Sequence, residues 1–220
     1  ITFSGVDTSK PTTTFSPVNG ATSIAVASDI TLTFNEAVRL TNDSALDDSN
    51  VDALITLKEN NSNGTNISFD ATINNDKTVI TINPSSNFSS EQVVYVAIGA
   101  TVEDASNNAI NTANITFTAV DNSAPTMAIT SSTVTDGDTS DDSALSMTFT
   151  SSEATTDFVV GDITVSGGSL SSFAATSSTV YTATFTPTGN GATTIEVTSS
   201  KFTDATGNNN TASSQFNWTY

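Results

Sequence analysis

Asp121-Asn122-Ser123-Ala124-Pro125-Thr126 repeats an earlier stretch, Asp7-Thr8-Ser9-Lys10-Pro11-Thr12, with the acid and the proline both recurring 114 residues on. The residues in front recur at the same interval: Ile1-Thr2-Phe3-Ser4-Gly5-Val6 precedes the first copy, and Ile115-Thr116-Phe117-Thr118-Ala119-Val120 precedes the second. Self-similarity at a fixed interval is the mark of a tandem repeat. Each acidic, proline-bearing stretch therefore reads as the linker that opens a unit. Residues 1–6 read as the final strand of a preceding repeat, 7–120 as one domain and 121–220 as a second. Gln215-Phe216-Asn217-Trp218-Thr219-Tyr220 resembles the same final strand, so the sequence reads as a window on a longer array. Two units of roughly 100 residues each fall within the ordinary size of a domain.

Inside the units the apolar residues alternate. In Asp29-Ile30-Thr31-Leu32-Thr33-Phe34-Asn35 the isoleucine, leucine and phenylalanine fall on one face and the threonines on the other, as a half-buried strand requires. Further strands are expected at residues 12–15, 23–26, 54–58, 66–73, 78–82, 93–98 and 114–119, with Pro17-Val18-Asn19-Gly20 and Asn74-Asn75-Asp76-Lys77 as turns. The second unit repeats the plan at 126–131, 145–150, 162–165, 169–174, 180–186, 193–198 and 213–218. Gly167-Gly168 and Gly189-Asn190-Gly191 mark its tight connections. Residues 41–52 are acidic and read as a loop. No helical period is present. About seven short strands per unit, punctuated by turns, predict an all-β chain of two tandem immunoglobulin-like β-sandwiches in an elongated array, with a barrel as the alternative.

Composition removes several function classes. The formal charge is −18, from 23 acids against five bases. Lys10, Arg39, Lys58, Lys77 and Lys201 are scattered, and a nucleic-acid partner needs clustered cations. The same field disfavours an anionic bilayer, and no stretch is long and apolar enough to insert in a membrane. With no Cys and no His, thiolate nucleophiles, Ser-His-Asp triads and histidine-dependent zinc sites are all lost. No enzyme is expected.

Particular motifs carry a family resemblance. The first unit has Phe15-Ser16-Pro17-Val18-Asn19-Gly20-Ala21-Thr22, then Ile30-Thr31-Leu32-Thr33-Phe34-Asn35-Glu36-Ala37-Val38, then Val102-Glu103-Asp104-Ala105-Ser106-Asn107-Asn108. It resembles the bacterial Ig-like domain of S-layer and other surface proteins. The second has Ala124-Pro125-Thr126, Phe149 to Glu153-Ala154, and Phe202-Thr203-Asp204-Ala205-Thr206-Gly207-Asn208. It is similar to the Ig-like repeats of large secreted adhesins. Aligned this way, Ser106 stands where the second copy has Gly207.

If each unit keeps the seven-strand order, three parts of the chain meet at the pole where it enters. In the first unit these bring Asp7, Glu36, Asp104 and Asn107; in the second, Asp121, Glu153, Asp204 and Asn208. Carboxylates joined by amide and carbonyl oxygens make a hard-oxygen set that suits Ca²⁺ better than a transition metal. Asp and Asn also favour turns for their own reasons, so it is the recurrence of the whole set that singles it out.

Other candidates are weaker. Asp136-Gly137-Asp138-Thr139-Ser140-Asp141-Asp142 lacks the spacing and closing Glu of an EF-hand and reads as a solvated acidic turn. Its counterpart, Asn19-Gly20-Ala21-Thr22, has no acid. Sequons such as those at Asn42, Asn66, Asn87 and Asn217 are expected by chance in a chain this rich in Asn, Ser and Thr. Trp218 and Tyr220 read as core or junction residues. The expected function is a structural spacer or adhesion segment of an extracellular surface protein, its repeats stiffened by Ca²⁺ at the joints. Its partners would be neighbouring Ig-like repeats, copies of itself, or a surface glycan or protein. Two alternatives stay open: a filament subunit that uses residues 1–6 for strand exchange, and a glycan-binding module presenting an aromatic such as Tyr181.

Overall fold

Alternation along the strands organises the two compact units of the computed structural model, one ending at Asp121 and one spanning Asn122–Tyr220; residues 5–220 are described. The expected strand at residues 1–6 falls mostly outside this range, and Gly5 and Val6, within it, are exposed and irregular.

The first unit contains β1 (Thr13–Ser16), β2 (Ile30–Phe34), β3 (Arg39–Leu40), β4 (Ile55–Glu59), β5 (Phe69–Ile73), β6 (Val79–Pro84), β7 (Val93–Ile98), β8 (Val102–Glu103) and β9 (Ala113–Thr118). One sheet runs β1-β2-β6-β5 and the other β4-β7-β9, while the short β3 and β8 pair apart from both. The second unit contains β10 (Met127–Ser131), β11 (Leu145–Ser151), β12 (Ile163–Ser166), β13 (Gly168–Ala175), β14 (Val180–Pro187), β15 (Ala192–Val197) and β16 (Phe216–Thr219). Its sheets run β10-β11-β14-β13 and β12-β15-β16. Both units thus have the four-plus-three antiparallel order of an immunoglobulin-like sandwich, and the barrel alternative is discarded.

The alternation decides what is buried. Ile30, Leu32 and Phe34 are at most 2% exposed, while Thr33 between them faces solvent. Inward residues of both sheets form one core per unit. The first core is mainly aliphatic and, among the described residues, has one edge-to-face pair, Phe88 and Phe117, at 5.6 Å. The second is aromatic. Phe158 lies at its centre, with ring centroids 5.0 Å from Tyr181, 5.2 Å from Phe202, 5.8 Å from Phe173 and 6.1 Å from Phe149. Fully burying each such ring stabilises the fold by about 1.5–3 kcal/mol.

In each unit the segment after the first strand leaves that strand's sheet and pairs, in parallel, with the last strand of the other. Gly20 N–H donates to Thr116 O at 2.7 Å and Val120 N–H to Ile24 O at 2.7 Å; Gly137 N–H donates to Asn217 O at 2.8 Å and Ser140 N–H to Thr219 O at 3.1 Å. Each crossing is seated by one side-chain oxygen. Asn19 Oδ1 accepts from Thr116 N–H at 3.0 Å, and Asp136 Oδ1 accepts from Asn217 N–H at 2.7 Å. The glycines that follow, Gly20 and Gly137, both have positive φ, +77° and +88°, a conformation open to glycine at little cost.

Several expectations are corrected here. The piece expected at residues 23–26 is not a sheet strand, because Ile24 alone makes a bridge, to Ala119. Strands β3 and β8 were missed, each being too short to alternate. The Asp136 stretch is solvent-exposed, as expected, and in addition Asp136 accepts from Asn217 N–H of β16. Tyr181 is no surface aromatic: it is 4% exposed, and its hydroxyl donates to Thr155 O at 3.0 Å. Trp218 is a core residue, as read from the sequence, and its indole N–H donates to Ser140 Oγ at 3.0 Å.

Candidate metal centre

The loop before each final strand begins with an aspartate that folds the backbone around its own carboxylate. Asp104 Oδ1 accepts from Ser106 N–H at 2.7 Å and Asn108 N–H at 2.9 Å; Asp204 Oδ1 accepts from Thr206 N–H at 2.8 Å and Asn208 N–H at 2.9 Å. The backbone closes identically, with the Asp104 and Asp204 amides donating to Asn108 O and Asn208 O at 3.2 Å in both units. The asparagine amide then donates to the other carboxylate oxygen, from Asn108 to Asp104 Oδ2 and from Asn208 to Asp204 Oδ2, at 2.8 Å each. Asx turns of this kind explain why Asp opens the loop.

These bonds set the charge. At Asp204 burial opposes ionisation, but hydrogen bonds from Asn208 and Thr206 outweigh it and bring the pKa down to about 2. At Asp104 the hydrogen bonds from Asn108 lead the same downward shift. Both acids are buried and both are held ionised, as a cation ligand must be.

Glu36 and Glu153 lie two residues beyond the ends of β2 and β11. Asp7, Glu36 and Asp104 each place one carboxylate oxygen within 4.8 Å of the others, and Asp121, Glu153 and Asp204 meet the same criterion. Oxygens bound to one Ca²⁺ at about 2.3–2.6 Å stand no more than about 5.2 Å apart, so both trios fit that ion. Each is all oxygen, with no nitrogen or sulfur donor to favour zinc or copper. Three carboxylates so close repel one another, and a divalent cation relieves that repulsion.

The asparagines are placed differently from the sequence reading. Asn107 has φ +67° and Gly207 φ +92°, so these two are counterparts, and Ser106 corresponds to Thr206 rather than to Gly207. Asn107 Oδ1 accepts from Arg39 at 2.8 Å, whereas Asn108 reaches Asp104 and donates to Asp7 O at 3.1 Å. The signal was available: Asn208 lies four residues after Asp204, and the same step from Asp104 leads to Asn108.

Arg39 is the other residue that sequence reasoning passed over. It lies 2.6 Å from Asp43 and 3.4 Å from Glu103, whose side chain is 7% exposed, and so brings a guanidinium to the Asp104 turn. In the second unit a carboxylate occupies the corresponding place: Asp157 accepts from Thr203 N–H at 3.0 Å and from Thr203 Oγ1 at 2.9 Å. Burial opposes charge on Asp157, and hydrogen bonds from Thr155 and Thr203 keep its pKa low; burial and then Asp157 raise that of Tyr181.

Residues 7–119 match one family model described as a Bacterial Ig-like domain, and residues 121–220 match another with the same description. No curated protein matches the chain. Among solved structures it is similar to the N-terminal part of the bacterial S-layer protein SbsC, at 14% identity and a TM-score of 0.34, over 94% of this chain and 44% of that one. The chain thus spans less than half of that structure. It is also similar to InvD of Yersinia pseudotuberculosis, at 18% identity and TM-score 0.34, over 95% of this chain and 56% of that one. A titin fragment, A168169, is similar at 6% identity and TM-score 0.36, over 96% and 97% of the two chains.

Proposed function

The chain belongs to the bacterial Ig-like domain family in both matched segments, and on that premise we propose that it is a structural and adhesive segment of a bacterial surface protein, with Ca²⁺ stiffening the joints between repeats. One observation carries the calcium part: a trio of carboxylates recurs at the same positions of two units whose sequences and cores otherwise differ. Asp7 and Asp121 each open a family-matched segment, so each belongs to the stretch that leads into a unit. A cation shared between that stretch and the acids after β2 and β8, or their second-unit counterparts, would replace a flexible entry with a coordinated one. Asp104 and Asp204, already ionised and held in place by their own turns, would serve as the fixed ligands.

The reading is non-enzymatic and extracellular. Among the described residues no helix is long and apolar enough to cross a membrane. The shared sandwich plan, with each final strand held on both sides, suits a unit that transmits load rather than one that opens a cleft.

Calorimetry with Ca²⁺ or with chelator tests it. Ca²⁺ is expected to raise the melting temperature, by the equivalent of about 2.7 kcal/mol at a hundredfold excess over Kd. Asp121→Ala combined with Asp204→Ala should remove most of the gain in the second unit, and Asp7→Ala with Asp104→Ala most of that in the first. Identical melting with and without Ca²⁺ would reject the cation and leave the spacer reading to stand on its family alone.

A further inference from the structure

Three Asn-Gly pairs occur, Asn19-Gly20, Asn63-Gly64 and Asn190-Gly191, and the fold holds them to different extents. In this dipeptide the glycine nitrogen, unhindered by a side chain, attacks the Asn Cγ. A nitrogen–carbon bond forms, ammonia leaves and a succinimide remains. Water then opens the ring at either carbonyl to give aspartate or isoaspartate. The chemistry needs no cofactor or outside oxidant, only freedom for the glycine nitrogen to swing onto the side chain.

That freedom differs from site to site. At Asn19 both reacting groups are tied to β9: Gly20 N–H donates to Thr116 O at 2.7 Å, and Asn19 Oδ1 accepts from Thr116 N–H at 3.0 Å. At Asn190 the following glycine exchanges two backbone hydrogen bonds with Tyr220, at 2.9 and 3.0 Å. Asn63 sits exposed in the turn between β4 and β5, where Gly64 N–H bonds only locally, to Asn61 O at 3.0 Å. Freeing Gly64 N–H breaks one bond inside the turn and leaves in place the bond from Glu59 N–H of β4 to Thr65 O, at 2.9 Å, whereas freeing the other two glycines unzips a final strand or its end.

We propose that Asn63 is the site of spontaneous deamidation in the folded chain, with Asn19 protected by its pairing to the last strand of its unit. The turn cannot escape by giving up its glycine, because a Cβ on Gly64 would lie 1.6 Å from Glu59 O. Asn63 therefore stays next to a reactive neighbour.

The test is a time course of the whole chain in mildly alkaline buffer, folded and in urea, read by peptide mapping for the amide-to-acid mass gain and for isoaspartate. In the folded chain, Asn63 should convert about tenfold or more faster than Asn19, the ratio expected when two interstrand hydrogen bonds must open first. Asn190 should fall between them, and in urea the three rates should converge. Asn63→Gln should abolish the earliest acidic species on ion exchange. The proposal is overturned if Asn19 converts as fast as Asn63 in the folded chain, or if the acidic species persists in the Asn63→Gln variant.

Discussion

Strands β5 and β13 occupy the same place, the outer edge of the four-stranded sheet, and the two units guard that edge by opposite means. An open edge offers unpaired backbone groups to any passing strand. In the first unit the acidic loop at residues 41–52 supplies the guard: Asp52 Oδ1 accepts from Ala71 N–H at 2.7 Å and Asp48 Oδ1 from Ile73 N–H at 2.9 Å. In the second, the edge strand itself is deformed, with a register shift between Ser171 and Ala174 and Ser172 at φ +52°. A bulge twists the edge away from a partner. The cores diverge in the same way, aliphatic in one unit and built around Phe158 in the other. One sandwich plan is therefore met by two independent sets of side chains, while the entry-pole turn is kept almost bond for bond. The turn is the part of each unit whose geometry is most tightly specified.

The largest expected effect tests the contrast between the cores. Phe158→Ala removes the ring on which four others pack, and should cost the second unit about 3–5 kcal/mol. Trp218 is the single tryptophan and lies in that core, so its fluorescence follows the unfolding of the second unit. The contrast fails if the Trp218 transition does not move.

A smaller effect is expected at Arg39, which only the first unit has. Arg39→Ala leaves Glu103 buried without its cation and should cost about 1–3 kcal/mol, below the figure for a fully buried pair because Arg39 is partly exposed. Glu103→Gln in the same chain should restore much of the loss. If the double variant is no more stable than Arg39→Ala alone, the loss lies in packing of the arginine and not in the stranded carboxylate.

The smallest effect tests what the units share. Asn19→Asp puts into the first crossing the acid that the second already has as Asp136, accepting the same kind of backbone N–H. The melting temperature should change by no more than the equivalent of about 0.5 kcal/mol. A large loss would mean that the two crossings are not interchangeable.

The sequence alone carried the repeat, the alternation, nearly all the sheet strands and the acids of both trios. Ile30, Leu32 and Phe34 announce their face because a strand's side-chain period is two, a property of the local backbone. Asp7, Glu36 and Asp104 could be brought together on paper because strand order in a sandwich sends linkers and loops to fixed ends. Tertiary structure decided what depends on partners distant in the chain. Strands β3 and β8 show no alternation, and they are defined by their pairing across the chain, Arg39 opposite Glu103 and Leu40 opposite Val102. Tyr181 looks like any strand aromatic until Phe158 and the Thr155 carbonyl close over it. Asn107 and Asn108 differ by one residue, and only the positive φ of Asn107 turns it toward Arg39 and leaves Asn108 to hold Asp104. Local period is written in neighbouring residues, whereas hydrogen-bond partnership at a turn depends on which backbone conformation the whole fold imposes there.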